Sequence, residues 1–202
     1  VGYANITGDV YGGSAKGTVN STNNSSVNTY TYPNPENSEE NLTANCYTKV
    51  NFYGGTITGN IHGGGLGEVG HPADVYGPVT VTMEEGSSTN TVVNNVFGCN
   101  NVLGTPKEEV TVNVNGGTVN NSVYGGGNQA AYTPSESNVN YPAVYINNGT
   151  VTENVFGGGL GETATVTANP HITIGDNVEG HVVAIMKSVY GGGSLATVDG
   201  ST

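Results

Sequence analysis

Six times along the chain, two β-branched residues stand four positions apart and a ring follows the second of them. The pairs are Ile6/Val10, Ile57/Ile61, Val92/Val96, Val119/Val123, Val151/Val155 and Ile185/Val189, and the rings are Tyr11, His62, Phe97, Tyr124, Phe156 and Tyr190. Glycines come next: Gly12-Gly13, Gly63-Gly64-Gly65, Gly125-Gly126-Gly127, Gly157-Gly158-Gly159 and Gly191-Gly192-Gly193, with Gly98-Cys99 as the variant. A unit of this length cannot bury its own apolar face, so it must stack on its neighbours. The repeat therefore constrains the architecture before any single residue does.

Most units open with strict alternation, as in Val50 and Phe52; Val79, Val81 and Met83; Val110, Val112 and Val114; Val144 and Ile146; Ile172 and Ile174. Period two with β-branched residues predicts a half-buried strand. Turns follow at Gly54-Gly55-Thr56, Gly116-Gly117-Thr118 and Asn148-Gly149-Thr150, where glycine accepts positive φ. The i, i+4 pair comes after the turn. Its spacing alone would suit a helix, but β-branched residues, Asn and glycine runs in the same window make a second strand the better reading.

From Val10 to Ile61, Val96, Val123, Val155 and Val189 the steps are 51, 35, 27, 32 and 34 residues. The shortest step is the bare coil, and the excess in the others is insertion. Parallel neighbours joined by short turns wind into a solenoid, and parallel crossovers are right-handed by strong preference. The expected fold is all-β: a right-handed parallel β-helix of about six coils. It forms a single domain over residues 1–202, a segment of a longer repeat protein, with insertions near residues 20–45 and 128–142. The ring column is expected to stack as a ladder, the simpler reading beside a carbohydrate-binding aromatic strip. His62 occupies a ring slot and needs no metal to explain it.

The chain has 33 glycines among 202 residues, no Trp and no Arg, and its formal net charge is −12. With no basic stripe, nucleic acid is not an expected partner. No apolar run reaches the roughly 20 residues of a membrane span, so membrane insertion is not expected. No His, Cys and Asp spacing matches a zinc site, and no cofactor or metal is expected. Cys46 and Cys99 fall in different phases of the repeat, which leaves both a disulfide and two free thiols open.

Insertions on a rigid scaffold are where binding usually resides, and tyrosines among Ser and Asn make adaptable contact surfaces. Tyr30 and Tyr32 in the first insertion, with Tyr132 and Tyr141 in the second, are the candidate ligand-binding residues. No catalytic residue is assigned. Glu68 and Glu162 hold equivalent positions three coils apart, about 14 Å at strand spacing. That exceeds the roughly 5–9.5 Å that separates the two carboxylates of a glycosidase.

The strings GGTVNNSVYGGGNQA (residues 116–130), NGTVTENVFGGGLGE (148–162) and GGTITGNIHGGGLGE (54–68) resemble the GGTV…NVYGGG repeats of large surface proteins of gut Bacteroidetes. The resemblance covers nearly the whole chain and implies a pectate-lyase-like right-handed β-helix in an adhesin-like protein. It carries over no functional residue.

The expected function is a non-catalytic extracellular module at the bacterial cell surface, adhesin-like or stalk-like. Host or dietary glycans, or surface proteins, are its expected partners, and end-to-end self-association is open. A polysaccharide lyase or glycoside hydrolase on the same fold is the alternative. It is weakened by the lack of Arg and by the scatter of Asp9, Asp74, Asp176 and Asp199. An ice-binding solenoid is the third reading. Thr56/Thr58 and Thr150/Thr152 share a phase, but the coils between them break the column.

Overall fold

A computed structural model describes residues 3–20, 29–34, 37–86, 91–136 and 138–202, with the backbone alone at 29–34, 37–38 and 41–45. The chain enters through β1 (Ala4–Ile6) and β2 (Val10–Tyr11), then leaves for the hairpin of β3 (Thr29–Asn34) and β4 (Asn37–Asn45). It next winds through β5 (Thr48–Phe52), β6 (Gly55–Ile57) and β7 (Ile61–His62), then β8 (Val79–Met83), β9 (Thr91–Val93) and β10 (Val96–Phe97). β11 (Val110–Val119) and β12 (Val123–Tyr124) follow, then β13 (Ala143–Val151) and β14 (Val155–Phe156). β15 (His171–Ile174), β16 (Val183–Ile185) and β17 (Val189–Tyr190) close the series.

Every pairing except β3 with β4 is parallel, in a nine-stranded sheet and a six-stranded sheet. The fold is a parallel β-solenoid. The ring-bearing strand recurs six times, in the order β2, β7, β10, β12, β14, β17. The long wall begins at β5 and recurs at β8, β11, β13 and β15, so the chain makes about 4 turns. Six ring repeats thus overcount the complete windings, because among the described residues the entering coil adds only β1 and β2 to the two large sheets. A further column of isolated bridges joins Val19, Val75 and Pro106, then Tyr132, Val166 and Val198.

The alternation read from the sequence sets what faces inward. Val81, Met83, Val112, Val114, Val144 and Ile146 pack inside with Val96, Val123 and Val155 in one buried cluster. Their outward neighbours form columns such as Lys49, Thr80 and Thr111. Burying a Val or Ile side chain is worth about 1.5–3 kcal/mol, so coil-on-coil burial is the main favourable contribution to this fold. Gly117 and Gly149 turn the wall with φ of 81° and 97°. The glycines after the ring answer a different demand. A Cβ on Gly63, Gly98, Gly125 or Gly157 would sit 2.2–2.4 Å from the carbonyl oxygen of the equivalent glycine one coil on.

The rings stack in one column. Successive centroids from Tyr11 through His62, Phe97, Tyr124 and Phe156 to Tyr190 lie 4.7–5.1 Å apart, with interplanar angles of 3–11°. Phe97, Tyr124 and Phe156 are buried, with Leu160 packed against them. The rings between the ends are therefore closed to a sugar, and the ladder reading holds over the aromatic strip.

Beside them runs a polar column, two residues before each ring. Asp9 Oδ1 accepts the Asn60 N–H at 2.8 Å, and Asn60 Oδ1 accepts Asn95 Nδ2 at 2.8 Å. Asn95 Oδ1 accepts the Ser122 N–H at 3.1 Å, Ser122 Oγ the Asn154 N–H at 3.2 Å, and Asn154 Oδ1 the Ser188 N–H at 3.1 Å. Cys46 and Cys99 are free thiols. Cys99 replaces the middle glycine of its coil, lies fully buried, and its Sγ is 3.4 Å from the Gly125 carbonyl.

Candidate functional site

Three consecutive coils meet at the corner between the bridge column and the long wall. Tyr76 follows Val75, Lys107, Glu108 and Glu109 lie between Pro106 and β11, and residues 134–136 and 138–141 precede β13. Together they enclose a cleft of about 420 Å³ lined by Tyr76, Lys107, Glu108, Glu109, Pro134, Ser135, Glu136, Val139 and Tyr141. That volume lies in the range of small-ligand sites, roughly 300–1,000 Å³.

Described residues of the second insertion are tied down at several points. The Thr133 N–H donates to Thr105 Oγ1 at 2.9 Å, and the Ser135 N–H to the Lys107 carbonyl at 2.7 Å. The Asn169 N–H donates to the Val139 carbonyl at 2.9 Å, and Asn138 takes positive φ (61°), a conformation Asn tolerates better than most residues. On the opposite lip, Tyr76 donates its N–H to the Val19 carbonyl at 3.1 Å, and its own carbonyl accepts Asn20 Nδ2 at 3.1 Å. The walls are thus fixed by backbone bonds on both sides, which lowers the ordering cost of binding.

Of the four tyrosines singled out from the sequence, the structure brings one to this cleft. Tyr141 lines it. Burial first, and the Glu109 carboxylate second, raise the Tyr141 phenol above its usual value, so it remains a neutral donor.

Tyr132 is corrected from surface ligand to core residue. It is 0% exposed, packs with Val75, Val110 and Val166, and donates its hydroxyl to the Glu108 carbonyl at 2.8 Å. Burial pushes its phenol well up. It acts on the cleft only from behind, by holding the backbone of Glu108. Tyr30 and Tyr32 lie on β3, opposite Ala44 and Leu42 of β4. Their side chains fall outside the described residues.

Sequence reasoning missed the carboxylates of this cleft. Glu108, Glu109 and Glu136 come from two coils and meet only because the second insertion folds over the corner. The signal available was Glu108-Glu109 immediately before the alternation at Val110, a place where an acidic pair must lie at a strand mouth. Lys107, the only cation lining the cleft among the described residues, stands 3.7 Å from Asp74 Oδ1, which offsets its charge. The lining is net acidic.

Chemically, two tyrosines, Pro134 and Val139 offer apolar faces, while carboxylates and a hydroxyl offer hydrogen bonds. This suits a polar ligand with a flat apolar side. Glu68, by contrast, lies outside the cleft and pairs with Lys16 at 2.8 Å. Among the described residues, no group of three or more His, Cys, Asp or Glu is placed to hold a metal ion, and no helix is long and apolar enough to cross a membrane. No family model, curated protein or solved structure matches the chain.

Proposed function

We propose that the protein is a non-catalytic binding module of a bacterial cell surface, an adhesin-like or stalk-like solenoid that holds a glycan in the cleft between Tyr76 and Tyr141. The observation that carries this reading is the cleft itself, where two tyrosines and three glutamates converge on walls tied down by backbone hydrogen bonds. Sugars are bound by this combination: C–H faces lie on aromatic rings while hydroxyls donate to carboxylates. The stacked coils supply rigidity, and the insertion supplies the contacts. A glycan array followed by calorimetry tests it. Reproducible binding that Tyr141→Ala and Tyr76→Ala reduce at least tenfold is expected, with the thermal transition retained. Full binding by both variants would remove the cleft from the account.

Glycoside hydrolysis is the second reading, favoured by Glu108, Glu109 and Glu136 around one cleft, since paired carboxylates perform that reaction. Release of reducing ends from a bound oligosaccharide, abolished by Glu109→Gln or Glu136→Gln, would establish it over simple binding.

End-to-end stacking on a like coil draws on a separate observation. Val189 and Tyr190 are exposed on the last coil, whereas their equivalents Val155 and Phe156 on the coil before are buried. Concentration-dependent mass in light scattering, lost in Val189→Lys, is the expected result.

A further inference from the structure

We propose that His62 is an acid-operated latch: when its imidazole takes up a proton, the entering coil (residues 3–20) detaches from the solenoid and releases the cleft lip at Tyr76. His62 is 0% exposed and stacked between Tyr11 and Phe97, and neither ring nitrogen meets a hydrogen-bond partner among the described residues. The neutral ring already leaves a donor and an acceptor unmet there. An imidazolium adds a second unmet donor and a charge, which only water or a free acceptor can stabilise.

Asp9 is the charged group that favours the proton, yet its oxygens are engaged, Oδ1 by the Asn60 N–H and Oδ2 by the Tyr11 hydroxyl. Tyr11 is the other titratable group against the ring, and burial raises its phenol, so it stays neutral. Phe97, on β10, brings no charge. Lys16 of the entering coil pairs with Glu68 at 2.8 Å and lowers that carboxyl, so the exposed pair persists at pH 5.

The slot has two walls of unequal strength. On the inner side Phe97 is buried, and β10 is paired on both edges, with β7 and β12. On the outer side β1 and β2 each pair with one described strand, β6 and β7. Tyr3 and Ile6 of that coil are exposed, and Ala4 and Val10 are only partly buried. Opening outward therefore gives up less apolar contact. The same coil steadies the cleft, since the Val19 carbonyl accepts the Tyr76 N–H and Asn20 Nδ2 donates to the Tyr76 carbonyl, each at 3.1 Å.

Amide hydrogen exchange, read as protection factors at pH 7 and pH 5, tests the latch. The opened imidazole titrates at its ordinary 6.5 and the closed one at about 4, so the open form binds more protons and opening becomes about twentyfold easier across this interval. Protection of the Val10, Gly12 and Tyr76 N–H groups, bonded to the Asn60, His62 and Val19 carbonyls, is expected to fall by about that factor and to return at pH 7. The Gly63 and Gly98 N–H groups, bonded to the Phe97 and Tyr124 carbonyls, should keep theirs. His62→Phe, which keeps a ring in the slot, and His62→Leu, which does not, should show no such fall.

A matching fall at Gly63 and Gly98 would overturn the latch in favour of loosening of the whole domain. Unchanged protection at Gly12 in the parent, or an equal fall in the two variants, would overturn it outright. A fall at Gly12 with Tyr76 unmoved would overturn the release of the lip.

Discussion

The His62 imidazole lies 4.7 Å from the Phe97 ring and within 3° of parallel to it, and neither of its nitrogens meets a hydrogen-bond partner. Tyr11 covers its other face at 5.1 Å. A ring slot has thus been filled by a group able to take up a proton that the slot cannot accommodate. Burial lowers the imidazole to about 4, with Asp9 pulling the other way.

Stability is therefore expected to depend on acid. The unfolded chain binds this proton near 6.5 and the folded chain near 4. The unfolded state thus holds more protons in that window, and stability falls as pH drops through it. The full effect is about 3 kcal/mol at 1.36 kcal/mol per unit. His62→Phe keeps the stack and removes the titration. Urea denaturation at pH 7 and pH 4.5 should show a smaller loss for the variant than for the parent. An equal loss in the two proteins would assign the acid sensitivity to other groups.

Two glycines at neighbouring positions of the repeat should respond differently to alanine. A Cβ on Gly125 would lie 2.4 Å from the Gly157 carbonyl oxygen and 3.0 Å from Pro142, whereas Gly192 has nothing within 4 Å. Gly125→Ala is expected to cost about 1–3 kcal/mol, the range for overpacking a closed interior. Gly192→Ala should change stability by less than about 0.5 kcal/mol. Comparable denaturation midpoints for the two variants would contradict the close coil-to-coil approach.

Asn95 joins three coils, since its Nδ2 donates to Asn60 and its Oδ1 accepts from Ser122. Asn95→Ala leaves a part-buried N–H and a side-chain oxygen without this partner, a loss of about 1–3 kcal/mol. Asn95→Ser should recover part of it, because Ser122 and Ser188 occupy the same column in other coils. Thermal unfolding of the two variants checks the order.

The two thiols should separate by reactivity. Cys99 is fully buried, burial raises its thiol well up, and a thiol that stays protonated is a poor nucleophile. Cys46 is partly exposed. One equivalent of thiol is expected to react with a chromogenic disulfide in the folded protein and a second only on unfolding. Cys99→Gly, which restores the glycine of the other coils, should abolish the slow equivalent.

Much of the fold was legible before any coordinates, because it follows from periodicity. Val110, Val112 and Val114 alternate, and they lie inside as alternation requires. The ring column was legible for the same reason, since Tyr11 through Tyr190 share one phase. The polar column was written there too: Asp9, Asn60, Asn95, Ser122, Asn154 and Ser188 each precede a ladder pair. Only the structure shows why, because the bonds link residues roughly one coil apart in sequence. The Tyr132 error has a plain cause. A Tyr within a polar insertion reads as exposed, whereas Val75, Val110 and Val166 enclose this one and the Glu108 carbonyl satisfies its hydroxyl.

The sequence by itself determined the stacked parallel strands, the inward Val and Ile, and the ladder of rings, because each is a short-range rule repeated at fixed phase. The tertiary structure alone decided how many windings are complete, which tyrosine is buried, and that Glu108, Glu109 and Glu136 surround one cleft. Those outcomes depend on how insertions of unequal length fold back over a corner, and no local pattern encodes where such a loop comes to rest.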